Sequence, residues 1–151
     1  MPRLYMTKEL KQLVSNRADF LCEYCLISEQ DSGGCQFDHI ISVKHGGETT
    51  AENLAYACLY CNLNKGTDLG SIIWRTGDLV RFFNPRREQW SEHFRLEDTM
   101  IQPLTDIGEV TTRILQFNSS DRLLERQLFI EVNKYPSPDA LSSTLSIFFA
   151  T

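Results

Sequence analysis

The chain has 151 residues, 42% of them hydrophobic and 23% charged, with 15 Lys+Arg against 20 Asp+Glu and a formal net charge of -5. That is the size and composition of one folded domain rather than a disordered segment, and the acidic balance excludes a protein that coats nucleic acid through bulk positive charge. No apolar run approaches the roughly 20 residues that cross a bilayer, and Met1 to Leu10 lacks the layout of a secretory signal, so a cytoplasmic protein with no membrane partner is expected.

Taken in chain order, Thr7 to Asn16 reads as a short helix capped by Thr7, with Leu10, Leu13 and Val14 as its apolar stripe. Cys22-Glu23-Tyr24-Cys25 is a first CxxC knuckle, and Glu29 to Gly34 a polar loop. Phe37 to Val43 is rich in β-branched residues and reads as a strand. A loop with Gly46-Gly47 follows, then a second apolar stretch, Leu54 to Leu59. It leads into Cys58-Leu59-Tyr60-Cys61, with a short helix expected from Asn62 onward, stopping near Gly66 to Gly70. Ile72 to Trp74 and Leu79 to Phe83 are strand-like around a Thr76-Gly77-Asp78 turn, and Phe94 to Leu96 and Met100 to Leu104 look like two more strands. Thr105 to Phe117 and Ser119 to Asn133 fit helices, the second with Leu124, Leu128 and Val132 on one side and Pro136 and Pro138 beyond it. Leu141 to Ala150 is a short apolar tail that packs or frays. Trp74 and Trp90 are expected as core anchors, His45 as a solvated loop residue, and His93 as a packed or surface residue. The expected class is α+β, organised as residues 1–70 (core), 71–135 (an extension packed on it) and 136–151 (tail).

The cysteines carry the sharpest signal. Two CxxC pairs, Cys22 with Cys25 and Cys58 with Cys61, read as a tetrahedral four-cysteine Zn2+ site, since each tight turn offers two thiolates to one ion. Disulfides need an oxidising compartment, for which nothing here argues. A redox pair needs one CxxC and leaves the second unexplained. Cys35 is left over as a small, partly buried residue. Between the knuckles lie Asp38-His39 and Asn53, with Asn62 and Lys65-Gly66 just after the second. Asp38 is a hard oxygen ligand suited to Mg2+ or Mn2+. His39 titrates near working pH and suits a base that deprotonates water. Adjacent strand residues point to opposite faces, so these two serve one site only if the strand bends. Asn62 offers a second oxygen, and Asn53 braces the loop.

Cys22-x-x-Cys25, Phe37-Asp38-His39-Ile40-Ile41, Gly46-Gly47, Asn53-Leu54 and Cys58-x-x-Cys61-Asn62-x-x-Lys65-Gly66 resemble the HNH endonucleases of ββα-metal type, in the branch with two zinc knuckles. Phe83-Asn84-Pro85-Arg86-Arg87 with Trp90-Ser91-Glu92-His93-Phe94 is similar to small bacterial, notably cyanobacterial, HNH proteins. The resemblance implies a ββα-metal core with a four-cysteine zinc site, followed by short strands and C-terminal helices. It implies metal-dependent hydrolysis of phosphodiester bonds in DNA, or structured RNA, leaving 5′-phosphate and 3′-hydroxyl ends. It assigns His39 as general base, Asp38 and Asn62 as ligands of a catalytic Mg2+ or Mn2+, and Asn53 as the loop support that orients the base. Lys65 is then the nearest phosphate contact, with Lys44 beside it and Arg86 and Arg87 as an outer rim. The rival reading is a non-catalytic zinc module that binds nucleic acid or protein. It has no use for the Asp38, His39, Asn53 and Asn62 set.

Overall fold

The computed structural model describes residues 5–138 and 140. Helix α1 (Lys8–Arg17) starts where Thr7 Oγ1 accepts the Leu10 amide at 3.1 Å, satisfying one of the free N–H groups of a helix start. Val14 is its buried anchor, whereas Leu13 is half exposed. The polar stretch after the first knuckle is not a loop but a single helical turn, α2 (Glu29–Ser32), because Ser28 caps the Asp31 amide and Gly33, at φ 80°, turns the chain out.

Strands β1 (Cys35–His39) and β2 (Leu54–Cys58) form an antiparallel pair with Asp38 opposite Ala55 and His39 opposite Leu54. β1 stops at His39 instead of continuing to Val43. The reason is the Asn53 side chain, which takes both backbone groups of Ile41: its Oδ1 accepts from Ile41 N and its Nδ2 donates to Ile41 O, each at 2.9 Å. Helix α3 (Leu59–Lys65) follows β2 without a break. It begins at Leu59 rather than Asn62, so the second CxxC is the first turn of the helix and Cys61, Asn62 and Lys65 are all helical.

Two further hairpins follow, β3 (Gly70–Ile72) with β4 (Leu79–Arg81) and, after the one-turn helix α4 (Trp90–His93), β5 (Phe94–Glu97) with β6 (Met100–Pro103). Helices α5 (Asp106–Ile114) and α6 (Ser120–Glu131) close the described chain, so the fold is α+β. Thr105 caps α5 by accepting the Gly108 amide at 3.0 Å.

One core cluster runs through both halves of the sequence. Phe94 lies at its centre, with ring centroids of Trp90, Phe83 and Phe117 at 5.1, 5.4 and 5.6 Å. Tyr24 of the first knuckle joins it edge-on to Phe83. A smaller cluster of Val14, Ala18, Leu54 and Tyr56 lies under α1. One expectation is overturned, and one face is settled. Trp74 is 78% exposed and is no core anchor; the Arg113 guanidinium covers its ring at 4.2 Å. The face of α6 with Leu124, Leu128 and Val132 is exposed, and the residues it buries are Arg122 and Arg126. The apolar tail from Leu141 to Ala150 lies outside the described residues. No described helix is long and apolar enough to cross a membrane.

Candidate metal centre and active site

The first knuckle is tied alongside β2, where Glu23 N donates to Tyr56 O at 2.8 Å, and the second starts at the end of β2, where Cys58 pairs with Cys35. The four sulfurs of Cys22, Cys25, Cys58 and Cys61 are all buried and lie within 4.8 Å of one another. Cys25 Sγ and Cys58 Sγ are 3.7 Å apart, well beyond the roughly 2.05 Å of a disulfide, and all five cysteines are free. Burial pushes the Cys22 and Cys61 thiols well up; Cys25, equally buried, is pulled well down by hydrogen bonds from the other three cysteines and by Arg122. Four soft donors closing on one point fit a tetrahedral Zn2+. Among the described residues this is the one group of three or more Cys, His, Asp or Glu donors close enough to share an ion.

Asp38 and His39 sit at the end of β1 and engage different partners, as strand alternation requires. Asp38 is 5% exposed, and its carboxylate accepts from Tyr24 Oη at 3.1 Å and pairs with Lys65 Nζ at 3.1 Å. Burial pushes Asp38 up, and the neighbouring Lys65 charge offsets this in part. Lys65 also donates to the His39 carbonyl at 2.9 Å. His39 is half-buried, with Nε2 2.9 Å from Thr49 Oγ1. Its burial holds the imidazole below the usual range, so the ring is neutral and able to accept a proton at neutral pH.

Asn53 is the pin of the loop between the strands. Besides bonding Ile41, its Nδ2 donates to Glu48 O at 2.9 Å. This draws the loop so close that a Cβ on Gly47 would lie 1.6 Å from Ile41 O; only glycine fits there. Thr49 is thereby carried to His39.

The expected phosphate contacts divide. Lys65 is 1% exposed and spent on Asp38 and the His39 carbonyl, so it offers nothing to a phosphate at the surface. Arg86 is held in a largely buried ion pair with Glu23 of the first knuckle, not displayed on a rim. Sequence spacing does not show this burial, because the partners lie 27 and 63 residues away. Lys44 and Arg87 are exposed. Arg87 lines a cavity of about 270 Å³ with Ile41, Asn53 and Lys65, and a neighbouring hollow of about 540 Å³ beside His45 shares Leu69 and Arg81 with it. Asn62 is half-buried, one helical turn before Lys65 on α3.

Three residues of this region escaped the sequence reading: Thr49 on His39, Tyr24 on Asp38, and Arg122, whose guanidinium lies 3.9 Å from the sulfurs of Cys58 and Cys61. Tyr24 carries a faint signal, being the central apolar residue of a CxxC; a lone threonine and a distant arginine carry none.

Residues 22–68 match the sequence model of the HNH endonuclease family. Comparison with curated proteins and with solved structures returned no match.

Proposed function

We propose that the chain is a metal-dependent endonuclease of HNH type that hydrolyses phosphodiester bonds in DNA, with His39 as general base. What carries this reading is the coincidence of the family match over 22–68 with a neutral, half-buried His39 held by Thr49 in a loop pinned by Asn53. In the tautomer that donates Nε2–H to Thr49, Nδ1 keeps the lone pair that accepts the proton of an attacking water. The water oxygen bonds to phosphorus, the bond to the 3′ oxygen breaks, and that oxygen takes a proton from solvent. Lys44 and Arg87, both exposed, are the side chains left to contact phosphates of the duplex.

The oxygens of Asp38 and Asn62 have the donor chemistry for Mg2+ or Mn2+. Such an ion supplies positive charge to the scissile phosphate when bound. Lys65 already occupies the Asp38 carboxylate, so the ion and the ammonium compete for the same oxygens. That pairing also favours a second reading, in which Asp38 is structural and the chain is a non-catalytic zinc module.

The test is incubation of supercoiled plasmid with wild type, His39→Ala and Thr49→Val, in Mg2+, Mn2+ or chelator. The nuclease reading expects cleavage in metal, a loss of about 10² to 10⁴ in rate for His39→Ala, and a smaller loss for Thr49→Val. Wild-type protein that binds duplex DNA without cutting it would decide for the module.

A further inference from the structure

Arg122 is the least expected residue of the interior. It stands in the first half of α6, far along the chain from either knuckle, yet it is 3% exposed. A buried guanidinium needs an anion or a set of oxygen acceptors, because an unpaired charge in the interior is strongly destabilising. Among the described residues, no carboxylate bridges to Arg122 and no oxygen accepts from it. Its hydrogen-bond acceptors are sulfurs: Nη1 lies 3.9 Å from Cys61 Sγ, and Nη2 lies 3.9 Å from both Cys58 Sγ and Cys61 Sγ. The guanidinium also stacks 5.2 Å over the ring of Tyr60, one of the two residues between those cysteines.

We infer that Arg122 is a working part of the metal centre, a buried counter-ion whose fork bridges the thiolates of Cys58 and Cys61 and slows release of the metal. This rests on the reading of the four cysteines as a zinc site. The argument is one of charge. Four thiolates around Zn2+ leave a doubly negative centre sealed from water, and no other cation touches its sulfurs among the described residues. Arg122 halves that excess while supplying N–H donors to sulfurs that have no water to turn to. The planar fork reaches two sulfurs at once, which the point charge of a lysine cannot do. Groups that hydrogen-bond to metal ligands typically alter affinity by about 10- to 100-fold. The centre thus draws on α6 as well as on the two knuckles.

The experiment measures zinc per chain in the purified full-length protein, then the rate at which a metallochromic chelator extracts it, for wild type, Arg122→Met and Arg122→Lys. The expected result is one zinc per wild-type chain, extraction about 10-fold or more faster from Arg122→Met, and faster extraction from Arg122→Lys as well, since the fork is lost. Circular dichroism establishes that each variant is folded. Should Arg122→Met fail to fold, Arg122→Lys decides alone. Extraction from a folded variant at the wild-type rate overturns the role of Arg122. A wild-type protein that holds no zinc overturns instead the zinc reading beneath it, and the two failures are told apart by the metal content.

Discussion

At the scale of single residues, the Asp38–Lys65 pair is the point where expectation and geometry part most usefully. Both side chains are almost fully buried, and each has few alternatives. Burial pushes Asp38 up even with an ammonium beside it, so its charge depends on that partner. Removing one member of a buried pair costs about 3–5 kcal/mol, because the other is left uncompensated. Lys65→Met is therefore expected to destabilise the protein by about 3 kcal/mol or more in urea unfolding, a loss that a surface phosphate contact would not produce. A change within about 0.5 kcal/mol, the range of an exposed lysine, would show that the pair is not formed. Cys35 stands apart from the four clustered cysteines by position: its thiol, pushed up to about 12 by burial, lies beside Ser32 and outside the group of sulfurs that closes on one point. The sequence distinguishes it by spacing alone, and here spacing suffices.

At the scale of elements, local signals were legible where a cap, a turn or a CxxC dictates the backbone. Thr7 caps its helix as read, and the hairpin around Gly77 forms at the expected place. What was not legible is which face of α6 turns inward. Leu124, Leu128 and Val132 repeat every four residues, but so do Arg122, Arg126 and Ile130, and periodicity cannot choose between two stripes. The choice is made by acceptors contributed by distant elements: the knuckle sulfurs for Arg122, and for Arg126 the carbonyls of Thr99 and Phe117 with the side chain of Asn118. This inverts the usual ranking of substitutions on a helix. Leu128→Ser, at a side chain 55% exposed, is expected to change stability by less than about 0.5 kcal/mol. Arg126→Met, which strands buried carbonyls, is expected to cost about 1–3 kcal/mol. Denaturant melts of the two variants check this, and the reverse order would show that the leucine stripe is the packed face. The same reasoning explains Asp38 and His39. The strand and its two residues were readable, but the burial of Asp38 follows from Tyr24 of the first knuckle and Lys65 of α3, which only the folded chain brings to it.

At the scale of the whole molecule, the extension beyond residue 70 does more than cover an apolar surface. It takes up the polar groups of the first knuckle: Trp90 Nε1 donates to the Tyr24 carbonyl and Tyr135 Oη to the Cys25 carbonyl, each at 2.8 Å, while Arg86 pairs with Glu23. Backbone groups of a tight turn buried without such partners would be costly, so the knuckle and the extension complete each other. Metal affinity at such a centre is folding energy, and these contacts offer a route for it beyond the motif. The two tryptophans make the coupling visible in light. The Trp90 indole is buried against the knuckle, whereas Trp74 already stands in water on the far hairpin. In a Trp74→Phe protein the ultraviolet emission comes from Trp90 alone. Chelation of zinc is expected to shift that emission to longer wavelength and open it to a water-borne quencher, so the intrinsic fluorescence becomes a gauge of metal occupancy. Emission that stays blue and shielded after the metal is gone would mean that the first knuckle keeps its shape without it.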